Sequence, residues 1–321
     1  MFFFRRFGLK RNLIVELGNY VSRATIADTY GSTCNIITES EICNPFFRNG
    51  IIKNQKRFLE ALTELIDFVS QYRWSTVTIG IDCSQILYSS FKASSDVNND
   101  ASLLKYKSLY SPNHKLLQTI TSGHRIACLS IPSGLLDQVY EAFSQVGLHI
   151  NRFVPLRYIE ARALVDENAH SRNMVLNIGY RASNICLFED GFLTDYRTVQ
   201  NGVEQVINAI CEEYGLRVED ARSVLLETPI LYTDTREWAC YGGKHFRLDR
   251  LSSSVTSNLR NLFSKIFARE AYRVDNIILT GWANNVNRIH ELVPLELGKL
   301  QILNILRQDI LESSLKVRTK Y

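Results

Sequence analysis

No stretch of the 321-residue chain stays apolar for the roughly twenty residues that a membrane span requires. No short apolar region followed by a small-residue cleavage site marks a leader either. Net charge is nearly absent: 37 Lys and Arg stand against 33 Asp and Glu, leaving +4, and the cations are scattered. That pattern gives no nucleic-acid footprint. The seven cysteines (34, 43, 83, 128, 186, 211 and 240) form no CxxC pair and mostly sit in apolar stretches, where a thiol packs as a small hydrophobe. A reducing, cytoplasmic setting is the expectation. The histidines 114, 124, 149, 170, 245 and 290 show no i,i+4 pair and no Cys/His cluster, so no metal centre is expected. No Gly-x-Ser-x-Gly elbow occurs and no cysteine sits in a nucleophile setting, so no catalytic residue is assigned. What remains, 45% hydrophobic and 22% charged, is enough for one large two-lobed core or two modest ones.

One short pattern is written twice. Leu13-Ile-Val-Glu-Leu-Gly18 runs into Ser22-Arg-Ala-Thr-Ile-Ala-Asp28, and Met174-Val-Leu-Asn-Ile-Gly179 runs into Ser183-Asn-Ile-Cys-Leu-Phe-Glu189. Each copy is an apolar run, a glycine turn and a second apolar run, followed by a third strand-like segment at 34–42 or 192–199. After the first copy, 54–72 places Phe58, Leu62, Leu65, Ile66 and Val69 at helical spacing, and 76–82 reads as a buried strand. After the second, 203–214 repeats the helix with Val206, Ile207, Ile210 and Cys211 on one face. A three-strand meander, a crossover helix and a parallel strand make a mixed sheet with helices on its faces. The fold class is α/β, with two related lobes.

The rest of the chain is assigned around the repeat. Residues 89–121 are rich in Ser, Asn, Asp and Lys and contain a loop at 94–100. A compact β-α-β insert follows: strand 126–131, helix 132–146 opening on proline, strand 148–154. A helix at 155–164 leads to the second copy, another spans 254–271, and 274–280 is a strand ending in Gly281-Trp282 before a helix at 283–292. The expected divisions are a foot (1–11), a first lobe (12–90), an inserted subdomain (91–154), a connecting helix (155–171), a second lobe (172–295) and a C-terminal segment (296–321). The foot, Phe2, Phe3, Phe4, Arg5, Arg6 and Phe7 with further cations behind, has the chemistry of a segment whose rings enter a lipid interface while its cations meet anionic headgroups. It reads equally as a tail packed on the first strand.

The order of parts resembles the actin-like ATPase superfamily, whose lobes are duplicated βββαβα (ribonuclease H-like) units, and within it the bacterial branch containing the FtsA and PilM families. Glu16-Leu-Gly-Asn-Tyr-Val-Ser-Arg23 falls on the first phosphate motif, Asn177-Ile-Gly-Tyr-Arg-Ala-Ser-Asn184 on the second, and Thr280-Gly-Trp-Ala-Asn-Asn285 on the adenosine motif. The short Phe/Arg opening, the insert and the Glu160-Ala-Arg-Ala-Leu164 helix are most similar to the PilM family. The resemblance implies a nucleotide site at Glu16, Gly18, Ser22, Arg23, Asn177, Gly179, Arg181, Gly281 and Trp282. This chain departs from that pattern in three places. Asn177 stands where the family has a metal-supporting carboxylate, Tyr180-Arg181 where it has a glycine pair, and Trp282 where it has a second glycine. The departures point to a non-hydrolysing member with no required cofactor. The opposing reading keeps ATP and magnesium, with Arg23 and Arg181 neutralising phosphates and Trp282 stacking on adenine.

The resemblance implies a non-catalytic cytoplasmic scaffold on the inner-membrane face. It would take the cytoplasmic tail of a bitopic membrane protein of pilus assembly in a groove between 76–89 and 126–154, with self-association possible. The alternatives are an FtsA-like division anchor and an active ATPase or kinase.

Overall fold

The computed structural model describes residues 10–30, 33–92, 113–165, 170–228, 237–267, 274–286, 289–292 and 299–302. Residues 1–9 of the expected foot, the 94–100 loop and nearly all of the C-terminal segment lie outside the described residues, while Lys10 and Arg11, expected in the foot, begin the first strand. The chain divides into two compact units, one formed by residues up to 166 together with 192–197, the other by 167–191 and 198–304.

In the first unit, strands β1 (Lys10–Leu17), β2 (Val21–Tyr30) and β3 (Thr33–Cys43) form an antiparallel meander. A small hairpin of β4 (Phe47–Arg48) and β5 (Ile51–Ile52) leads to helix α1 (Gln55–Asp67). The helix starts where Asn54 caps it, its side-chain oxygen accepting from the Arg57 amide at 3.1 Å. Phe58, Ala61, Leu62, Leu65 and Ile66 then supply the buried stripe. Strand β6 (Thr76–Ile81) returns parallel to β1, giving the five-stranded order β10-β6-β1-β2-β3. Both β1 and β6 are continuous buried runs, as the centre of a sheet covered on both faces requires.

The expected β-α-β insert is only partly what forms. Helix α2 (Ser133–Gln145) does link β9 (Arg125–Pro132) to β10 (Arg152–Pro155). However, β9 is the middle strand of a separate antiparallel sheet, between β7 (Leu87–Lys92) and β8 (His114–Ser122), while β10 joins the main sheet parallel to β6. The polar composition of 89–121 hid β7 and β8: their residues are mostly half-exposed, so no long apolar run announces them. Helix α3 (Leu156–Ala163) follows β10 directly.

The second sheet repeats the plan in the order β13-β12-β11-β16-β17. β11 (Arg172–Ile178) pairs antiparallel with β12 (Ser183–Glu189); β13 (Phe192–Val199) follows, and β16 (Asn276–Gly281) lies parallel to β11, with β17 (Lys299–Ile302) beyond it. Helices α4 (Glu204–Tyr214), α5 (Val218–Glu227) and α6 (Leu248–Phe267) cover one face through Val206, Ile207, Ile210, Val224, Leu225, Leu251, Val255, Leu259, Leu262 and Phe263. An exposed hairpin, β14 (Trp238–Tyr241) with β15 (Lys244–Arg247), precedes α6. The helix expected at 283–292 is instead two 3-10 turns, Trp282–Asn285 and Ile289–Leu292.

Candidate functional site

The two glycine turns are the same backbone object. Leu17 pairs with Ser22 and Ile178 with Ser183, and in each turn the glycine amide donates across to the fourth residue's carbonyl, Gly18 to Val21 at 3.1 Å and Gly179 to Ala182 at 3.0 Å. A Cβ on Gly18 would stand 2.6 Å from the Val21 oxygen, and one on Gly179 would stand 2.7 Å from that of Ala182. Close approach of backbone to backbone makes glycine obligatory at both. The site residues read from sequence divide between the units: Glu16, Gly18, Ser22 and Arg23 in the first, Asn177, Gly179, Arg181, Gly281 and Trp282 in the second.

Around the first turn, side chains are tied to one another. Ser22 is fully buried, and its hydroxyl accepts from the Asn44 amide group at 3.0 Å, while the Asn44 backbone N–H donates to the Tyr20 carbonyl. Arg23 lies opposite Glu41 on β3 and donates to it from two nitrogens, at 2.6 and 3.1 Å, with Glu39 at 3.5 Å and Glu16 at 3.7 Å. Burial works to lower the Arg23 pKa, but the Glu41 hydrogen bond and the three carboxylate fields outweigh it and hold it above its ordinary value.

Beside Glu16 lies a cluster that the sequence reading missed. Asp82, just past β6, accepts from Arg157 of α3 at 2.6 Å, and Arg157 also reaches both oxygens of Glu160, at 2.8 and 3.0 Å. All three side chains are more than four-fifths buried. Burial raises the Glu160 pKa; Arg157 opposes this, and Glu16 and Asp82 add to it. Burial likewise works against the Arg157 charge, yet Asp82 and Glu160 lift its pKa well above the ordinary arginine value. Glu160 thus senses a surplus of negative charge around Glu16, Asp82 and itself. The signals for this cluster were an acid ending a buried strand and an Arg/Glu pair at i,i+3 on a short helix.

In the second unit the turn is fastened to the start of α4. The amides of Val203 and Glu204 donate to the carbonyls of Gly179 (3.2 Å) and Tyr180 (2.8 Å), so two N–H groups that could meet an anion at this helix start bond the turn instead. Ser183, fully buried, donates to the Asn201 carbonyl at 2.7 Å. Arg181 bonds Glu204 at 3.0 Å and lies 5.9 Å from the centre of the Tyr180 ring. Gly281 has φ +85, and a Cβ there would meet the Ile178 carbonyl at 2.8 Å and the Asn177 side-chain oxygen at 2.9 Å. Trp282, half-buried, packs against the hydrophobic core of its own unit.

No protein-family model matches the chain, and no curated protein does. Solved structures do. A structure of the PilM-PilN type IV pilus biogenesis complex matches over 97% of this chain and 97% of that one, with a TM-score of 0.64 and 12% identity. The chain has the actin-like ATPase fold. The ethanolamine utilization protein EutJ from Carboxydothermus hydrogenoformans shares it at a TM-score of 0.58 and 12% identity, over 96% of this chain and 88% of that one. MreB 5 of Spiroplasma citri bound to AMPPNP shares it at 0.56 and 10%, over 95% of each chain.

An actin-like fold implies magnesium and ATP, and the first unit's donors can be tested for the ion. Among the described residues no group of three His, Cys, Asp or Glu side chains is arranged to hold a metal. The negative charge that a hydrated magnesium ion would use is shared with two guanidiniums, Arg23 beside Glu16 and Arg157 between Asp82 and Glu160. This donor set does not fit the ion.

Proposed function

We propose that the protein is a non-catalytic actin-fold scaffold that captures the cytoplasmic tail of a bitopic inner-membrane protein, in the manner of pilus assembly. The observation that carries the reading is the commitment of the site's own cations. Arg23 is bonded to Glu41 and Arg181 to Glu204, so neither guanidinium brings an uncompensated positive charge to a phosphate chain. The likeness to the PilM-PilN complex, at a TM-score of 0.64 against 0.58 for EutJ and 0.56 for MreB 5, supports the pilus reading. Within the first unit, β7 is an outer strand of the small sheet, with Leu87 half-exposed, and an extended peptide can add to such an edge. A basic, aromatic N-terminal foot would contribute weak membrane avidity.

Two measurements test this. Calorimetric titration with magnesium-ATP is expected to be flat, and peptides copied from cytoplasmic tails of candidate bitopic partners are expected to raise the melting temperature. Magnesium-dependent ATP binding would overturn the non-catalytic part, and the absence of a shift with any candidate tail would overturn the scaffold part. A nucleotide-binding filament former is the second reading, favoured by the likeness to MreB 5 bound to AMPPNP and to the MamK double helical filament, the latter at a TM-score of 0.56 and 12% identity. It predicts nucleotide-dependent sedimentation.

A further inference from the structure

The hairpin of β14 and β15 has one face packed and the other turned to solvent. Gly242 and Gly243, with φ of +57 and +73, make a two-residue turn of the kind that joins twisted strands. The turn closes on the hydrogen-bonded pair Tyr241 and Lys244. The next pair, Cys240 opposite His245, is therefore of the non-hydrogen-bonded kind, in which facing side chains stand closest. Ala239, Tyr241 and Phe246 pack against the hydrophobic core of the second unit, and the Lys244 amine donates to the Gly215 carbonyl at 2.8 Å. That anchoring leaves Trp238, Cys240, His245 and Arg247 on the outer face, and all four are exposed.

A thiol and an imidazole thus stand side by side, brought together by the register of the hairpin rather than by a spacing that the sequence alone announces. Directly opposed Cβ atoms lie about 4.5 to 5.5 Å apart. A zinc ion bonded to sulfur at about 2.3 Å and to nitrogen at about 2.0 Å can bridge that span. Among the described residues, no hydrogen bond or ion pair occupies either side chain. Arg247, by contrast, is taken by Asp249 at 2.8 Å. Among the described residues no third His, Cys, Asp or Glu joins the pair to make a metal centre. One chain therefore offers two of the four donors of a tetrahedral sulfur and nitrogen zinc site.

We propose that Cys240 and His245 form half of a zinc site that a second copy of this chain completes, so that zinc joins two chains through their β14–β15 hairpins. A two-fold axis through the ion brings the same two donors from the other copy and closes a set of two sulfurs and two nitrogens. The ion takes the thiolate and the neutral imidazole, and the thiol proton passes to solvent. Trp238, 56% exposed and two residues from Cys240 on the same face, supplies apolar contact beside the ion. A face of four side chains falls far short of the roughly 1,200 Å² that a stable interface buries, so the ion carries the association. Because Arg247 brings its own carboxylate, two such faces meet without a surplus of like charge. The proposal is independent of the pilus reading.

The test is sedimentation velocity of the full-length chain in a phosphine reductant, with EDTA or with zinc chloride. A monomer is expected in EDTA, and a dimer holding about one zinc for every two chains is expected with the metal. Cobalt in place of zinc should give the absorption of a tetrahedral ion with a thiolate charge-transfer band. Cys240→Ser and His245→Ala, both at exposed positions, should each weaken the zinc-dependent dimer about tenfold or more. A monomer in the presence of zinc, a zinc-dependent dimer that survives the loss of either donor, a cobalt spectrum without the thiolate band, or a dimer that persists in EDTA would each overturn the proposal.

Discussion

Replacing Arg157 by methionine is the sharpest test of how the first unit is held together. The guanidinium is the shared partner of Asp82, 2.6 Å away and 4% exposed, and of Glu160 at 2.8 Å. Methionine keeps much of the side-chain volume but leaves two buried carboxylates next to Glu16 with no counter-charge from α3. Breaking a buried ion pair on one side costs about 3 to 5 kcal/mol, because the remaining charge is stranded rather than resolvated. For a unit of this size that corresponds to a fall in Tm of about 6 to 20 °C. Thermal unfolding followed by circular dichroism at pH 7 reads it directly. The triple variant Arg157→Met/Asp82→Asn/Glu160→Gln removes the stranded charges as well, and should recover at least half of the loss. A single variant within 2 °C of the wild type, or a triple variant no better than the single, would refute the assignment of Arg157 as the cluster's counter-ion.

Four further outcomes are expected. Because the Glu160 pKa is raised in the fold, its contribution to stability is fully present below the ordinary glutamate value and is lost as pH rises through the raised one. Urea midpoints should therefore shift in favour of the wild type over Glu160→Gln on acidification from pH 7 to pH 4, and a constant difference would sink the claim. Gly18→Ala and Gly179→Ala should each cost about 1 to 3 kcal/mol in chemical denaturation, since both place a methyl group against a carbonyl, and a neutral effect at either would show that its turn can open. Trp282→Ala should cost about 2 to 4 kcal/mol by the same measurement, as a half-buried ring leaving a core; unchanged stability would point to a ligand platform instead. Asn177→Asp buries a new charge at a side chain 5% exposed and should cost about 1 to 3 kcal/mol at pH 7, less at pH 4, and rescue by magnesium would revive a metal role.

The duplicated meander was legible because its signals are local. A buried apolar run, a glycine forced by a carbonyl 2.6 or 2.7 Å from its would-be Cβ, and a stripe such as Phe58, Leu62 and Leu65 all sit within one window of sequence. The charge relations of the site were not local. Arg23 meets Glu41 only because β2 and β3 pair in one register, and that register slips by a residue at Ile26/Ala27, so counting back from the turn alone does not find the partner. Asp82 and Arg157 come together because β10 lies parallel to β6, and β10 had been read into the insert rather than the main sheet. Strands β7 and β8 were missed for a related reason: a small sheet with half-exposed strands needs few consecutive apolar residues.

The residues at the two matching strand ends follow a single electrostatic rule. Glu16 and Asn177 occupy matching places, each one residue from the end of the strand that enters a glycine turn, and both are nearly buried. A buried carboxylate is tolerated when a cation stands beside it, and Glu16 has Arg23 at 3.7 Å. At the second position the near neighbours run the other way. Gly281 packs so closely that its missing Cβ would stand 2.9 Å from the Asn177 oxygen and 2.8 Å from the Ile178 carbonyl, while Arg181 is turned to Glu204. An aspartate there would place its charge among carbonyl oxygens, whereas an amide carries none. Glutamate with an arginine partner at one turn, and asparagine at the other, leaves each buried strand end balanced by the charges next to it.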